Sequence, residues 1–145
     1  MPNSWVPVLE PKGAAIIPIT CVYSAKEWKL TDKKTSKEMK AFDGVSNYKN
    51  WAERVREHCM SVNAGWIRLL FFMQRESRQL NWAFLSQTTF DTLGGHHLVE
   101  LSSFLWCFLG HVMTDAIHPR RVALAGGEES NGFELWRRLR WEQDG

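Results

Sequence analysis

Apolar side chains recur at helical spacing through the middle of the chain. Tyr48, Trp51, Ala52, Val55 and Cys59 form one stripe at i, i+3, i+4, i+7 and i+11, with Ser46 or Asn47 placed to cap it. Asn63 can cap a second helix carrying Trp66, Leu69, Leu70 and Met73. A third is predicted over 80–93, from Leu80 to Leu93, stopping at Gly94-Gly95. The fourth has Leu98, Leu101, Leu105, Leu109 and Val112 on one face and Phe104, Trp106 and Phe108 elsewhere. Being apolar on more than one side, it is expected to be the central helix. His118-Pro119 should end that region, because the residue before proline resists helix, and Gly126-Gly127 reads as a loop. Asn131 with Glu134 three residues later resembles a capping box opening a short last helix with Phe133, Trp136 and Leu139.

The first stretch is different. Pro2, Pro7, Pro11 and Pro18 exclude a long helix there and predict an extended arm over 1–25. Within it, Ala14 to Tyr23 is apolar and β-prone, but Pro18 limits it to an edge strand or a segment laid across the core. Residues 26–145 then form the helical domain. The expected fold is all-α: a bundle of about five helices with a Pro-rich N-terminal arm.

Composition narrows the function classes. Eight tryptophans in 145 residues, irregularly spaced, serve cores and interfaces equally well. Cys21, Cys59 and Cys107 are odd in number and far apart, which favours a reducing intracellular compartment over a disulfide framework. The start of the chain lacks the basic and apolar runs of a signal peptide. The apolar run from Leu98 to Met113 is too short and too often interrupted to span a bilayer. A cytoplasmic or nuclear protein without membrane contact is expected.

Catalytic patterns are missing. There is no GxSxG elbow, no GxxxxGK[ST] or GxGxxG loop, and Asp91-Thr92 is followed by Leu93 where an aspartic protease needs glycine. Cys107 and His111 stand at i, i+4, a spacing that suits two metal ligands, but no CxxC or HxxxH accompanies them. Cys107 is read instead as a core cysteine, and neither metal nor cofactor is expected.

Charge suggests a partner. The net charge of +2 is small, so distribution matters more than the sum. Lys26, Lys29, Lys33, Lys37 and Lys40 would form one stripe if residues 26–40 were helical, either tracking phosphates or serving as a solvated face. Arg120-Arg121 and Arg137, Arg138 and Arg140 make a second basic group, suited to phosphate or to carboxylates of a neighbouring subunit. Lys29, Lys33, Lys37, Lys40, Arg137, Arg138 and Arg140 are the candidate nucleic-acid contacts.

One stretch carries a resemblance. FDGVSNYKNWAERVREH, Phe42 to His58, resembles the opening of the capsid region of gag proteins from copia-type LTR retrotransposons: an aromatic, a Gly-containing turn, Asn-Tyr and a Trp three residues on. Here these are Phe42, Gly44, Asn47, Tyr48 and Trp51. NGFELWRRL, Asn131 to Leu139, is similar to a later Leu-Trp element of the same proteins, and AGGEESNGFELWRRL to the divergent gag-like proteins of dinoflagellates. The resemblance implies a capsid N-terminal domain that forms homo-oligomeric shells around RNA, with weak, sequence-indifferent RNA contact and no enzymatic activity. The sequence carries no second capsid domain after the Leu-Trp element and no Cx2Cx4Hx4C zinc knuckle, so a fragment or domesticated remnant is expected. The competing class is a helical nucleic-acid-binding or regulatory domain that does not assemble. Leu93, Gly94-Gly95 and the helix from His97 imitate a helix-turn-helix, but that second helix is too apolar to enter a groove.

Overall fold

A computed structural model describes residues 23–30 and 33–144. Among these the regular structure is helical: α1 (Lys33–Glu38), α2 (Tyr48–Val62), α3 (Gly65–Gln74), α4 (Trp82–Ser86), α5 (Gly95–His111), α6 (His118–Leu124) and α7 (Gly132–Asp144). Extended pairing among the described residues is confined to two isolated bridges, Phe42 with Met113 and Phe90 with Leu93. The arm expected over 1–25 lies outside the described residues as far as residue 22. From Tyr23 the chain is already on the core: the Tyr23 hydroxyl donates to Glu100 Oε1 at 2.6 Å, and its ring stacks on His97 at 4.2 Å.

The stripes of α2, α3 and α5 are buried as their periodicity requires. Asn63 Oδ1 accepts from Gly65 N at 2.9 Å at the start of α3, but the N-cap position falls on Ala64, one residue later than expected. Neither Ser46 nor Asn47 caps α2 through its side chain. Asp43 organises that turn instead, accepting from the backbone N–H groups of Val45 and Ser46 and from the Ser46 hydroxyl. Those donors, the Ser46 N–H foremost, hold the Asp43 carboxyl down at about 2.

Three elements depart from expectation. The helix expected over 80–93 is only Trp82–Ser86, started by Asn81 Oδ1 on Phe84 N at 2.8 Å. It stops because Phe90 and Leu93 exchange backbone hydrogen bonds across a tight turn with Asp91 at φ 53°. His118-Pro119 begins a helix as well as following one, since proline in a first turn lacks only an N–H that would have no helical partner. The centre of the bundle is α7 and not α5. α7 packs on α3, α5 and α6, and Asn131 before it and its residues 132–137 and 139 are all buried, whereas Glu100, Cys107 and His111 of α5 face solvent. Gly132 permits the α5–α7 approach: a Cβ there would lie 2.5 Å from Ser102 O and Trp106 N.

Polar residues start this most buried helix because they complete other backbone. Asn131 Oδ1 accepts from Glu134 N (3.2 Å) and Ser102 Oγ (2.8 Å), and its Nδ2 donates to Leu80 O at 2.7 Å. Glu134 does not return to Asn131 as a capping box would. Its Oε1 accepts from Leu80 N at 2.9 Å, and its two oxygens take Arg137 Nε and Nη2 at 2.9 and 3.0 Å. Arg137 Nη1 then donates to Glu76 O at 3.2 Å. The loop joining α3 to α4 thus finds its backbone partners on α7.

Two outcomes follow for stability. Glu134→Gln leaves the buried Arg137 charge without its counter-ion, and breaking such a pair from one side costs about 3–5 kcal/mol. Differential scanning calorimetry should show Tm falling by roughly 10 °C or more; a Tm near wild type rejects the pair as an organiser of the loop. Trp51 is buried, and its Nε1 donates to Val112 O at 2.8 Å. Trp51→Ala should therefore cost about 3–5 kcal/mol in a denaturant melt.

Candidate nucleic-acid interface

The lysines do not share one helix. Lys26 lies in a 3-10 turn (Ala25–Glu27), Lys29 in the segment after it, Lys33 and Lys37 on α1, and Lys40 beyond its end. The helix is interrupted because residues 28–30 are pulled inward. Leu30 is buried, Trp66 Nε1 donates to Trp28 O at 3.0 Å, and His58 Nε2 bonds Leu30 O at 2.6 Å. Lys29, Lys37 and Lys40 are exposed, while the Lys33 side chain lies outside the described ones. Lys40 borders a cleft of about 250 Å³ with Met39, Asn47, Asn50, Trp51 and Arg54.

The arginine group also divides. Arg137, expected on the surface, is 3% exposed and committed to Glu134 and Glu76 O, so it presents no cation to a partner. Arg121 is likewise buried, over the Trp106 ring at 4.1 Å and donating to Trp106 O. Arg120 binds Gly44 O and the Glu142 carboxylate. Arg138 is exposed, 4.0 Å from Glu134 Oε2, and Arg140 is half-buried. Trp141 beside them is 49% exposed, with the Arg137 guanidinium 4.8 Å from its ring centre.

A cationic surface that the two charge runs do not reveal lies on α3. Arg68, Phe71, Phe72, Arg75, Glu76 and Phe90 line a cleft of about 570 Å³. Phe72 and Phe90 form its aromatic wall, centroids 4.9 Å apart, and Phe71 is 44% exposed. Arg68 donates to Asp91 at 2.6 Å and lies 5.5 Å from the Phe90 centroid. Glu76 is gripped by Arg78, whose hydrogen bonds hold its carboxyl down at about 2. A second cleft, about 350 Å³, shares Phe71 and is bordered by Lys49, Glu53, Arg56 and Arg140. The available signal was the spacing of Arg68, Phe71 and Arg75, at i, i+3 and i+7 on the side of α3 away from Leu69, Leu70 and Met73.

Cys107 is exposed, contrary to the core placement expected for it, while Cys59 is buried and its thiol pushed well up by desolvation. Cys107 follows Leu105 by two positions, which turns it away from the buried Leu stripe of α5. Among the described residues no three His, Cys, Asp or Glu side chains gather as a metal site, and no helix is long and apolar enough to cross a membrane. Comparison of the chain with protein-family models, curated proteins and solved structures returns no match.

Replacing Lys29, Lys37 and Lys40 by Gln should leave Tm within a degree or two, because exposed charges contribute little. If these lysines touch phosphate, the log–log salt slope of RNA binding should flatten by roughly 0.7 for each phosphate no longer neutralised. An unchanged slope identifies them as a solvated face.

Proposed function

We propose that this chain is a gag-like structural domain, a helical capsid unit that associates with copies of itself around RNA inside the cell, in the cytoplasm or nucleus, without catalysing a reaction. The observation that carries the reading is that the two separated stretches resembling gag proteins meet in the core. Phe42 packs on Tyr48 (5.7 Å between centroids) and stacks on Trp51 (5.0 Å), and Trp51 lies 6.4 Å from Trp136 of the Leu-Trp element. The two remaining residues of the first stretch have a backbone reason. Gly44 has φ 91° and Asn47 φ 58°, conformations that glycine adopts freely and asparagine tolerates. The shared residues are therefore a framework of turn and rings, which leaves the surface to vary with function.

That surface has material for assembly. Val45, Met60 and Trp141 are exposed large apolar side chains, the kind that interfaces cover. The cations around Phe71 favour one second reading, a nucleic-acid-binding helical module that stays monomeric.

Light scattering coupled to size exclusion, run over a wide concentration range at low and high salt, distinguishes the two. The capsid reading expects mass to rise above the monomer with concentration. A constant monomer mass, together with an RNA-induced shift, transfers the function to the binding module.

A further inference from the structure

We propose that the α3 face centred on Phe71 binds single-stranded nucleic acid, with bases stacked on its open ring and phosphates held by the arginines on either side. The inference deepens the capsid reading and rests on it for the identity of the strand as RNA. It assigns the contact to a surface distinct from both the lysine segment and the buried Arg137.

Asp91 and Glu76, the carboxylates of the larger cleft, are each engaged: Asp91 by Arg68 and Glu76 by Arg78. Arg75 at the end of α3 and Arg56 on α2 have no ion-pair or hydrogen-bonding side-chain partner among the described residues, and Lys49 borders the same cleft as Arg56. Glu53 is the opposing carboxylate of the smaller cleft. The face therefore carries a surplus of positive charge on both sides of Phe71.

The rings decide what kind of anion fits. Phe71 borders both clefts and is 44% exposed, on a helix whose opposite side supplies fully buried Trp66, Leu69, Leu70 and Met73. An acidic peptide needs the guanidinium groups but not a bare aromatic face between them. A single strand uses both, because each base offers a π-face and each linkage a phosphate. A duplex hides its base faces, so the same geometry selects against it.

Binding of the full chain to a short labelled oligouridine RNA, followed by fluorescence anisotropy at several salt concentrations, tests the proposal. Duplex RNA of equal length and polyglutamate serve as competitors. Phe71→Ser should weaken binding by roughly tenfold and leave the salt slope unchanged, since it removes stacking and no charge. Arg75→Gln should weaken binding and flatten the slope by roughly 0.7. Both residues are exposed, and circular dichroism melts check that the variants fold. If Phe71→Ser disturbs the fold, Arg75→Gln with Arg56→Gln carries the test. Equal competition by duplex or by polyglutamate overturns the proposal, as does unaltered RNA binding in the charge variants. Self-association is measured on the same samples without RNA. Oligomers that persist while RNA binding is absent overturn this assignment alone; RNA binding by a strict monomer overturns the capsid reading alone.

Discussion

The fold depends on a buried ion pair that serves a neighbouring loop. Glu134 and Arg137 sit where α7 is surrounded by α3, α5 and α6, and removing two charges from water there is expensive. The cost is offset because each member of the pair also completes backbone elsewhere. Glu134 takes the Leu80 N–H, Arg137 takes the Glu76 carbonyl, and Asn131 takes the Leu80 carbonyl and the Ser102 hydroxyl. Trp136 adds a further link by donating to Gln74 Oε1 at 3.0 Å. A purely apolar α7 could fill the same space but would strand the backbone of the loop joining α3 to α4.

The same helix anchors the other end of the molecule through its rings. Trp136 approaches Trp51, which stacks on Phe42, whose backbone pairs with Val112 and Thr114 beyond α5. Val112 O accepts from both Phe42 N and Trp51 Nε1, so the turn before α2 and the exit from α5 are held at one point. The glycine and asparagine of that turn suit its positive φ angles, and its aspartate the N–H groups it gathers. Their work is to hold the frame.

The outside is less constrained, and α3 shows how one element divides between core and surface. Trp66, Leu69, Leu70 and Met73 look inward, while Arg68, Phe71 and Arg75 look outward across clefts on either side of the helix. The pairing of Asp91 with Arg68 and of Glu76 with Arg78 matters as much as the remaining cations, because it leaves no unengaged carboxylate in the larger cleft.

Much of this was legible in the sequence for a physical reason: helix stripes and caps depend on residues a few positions apart. α2, α3 and α5, the Asn63 bond to Gly65 N and the Asn131 start of α7 are all local events. Even the turn of Cys107 away from the Leu stripe follows from helical spacing. What the tertiary structure decided is every choice between a near partner and a distant one. The Glu134 carboxylate bonds Leu80 N, 54 positions away, in place of the neighbouring cap, and that choice draws Arg137 inside and makes a polar helix the centre. Trp28 O and Leu30 O are taken by Trp66 and His58, which breaks the lysine stripe. Arg68 finds Asp91 across the Phe90 turn, leaving Arg75 to define the charge of the cleft. Spacing determines which face a side chain occupies, but only the assembled chain determines which donor reaches which acceptor once water is excluded.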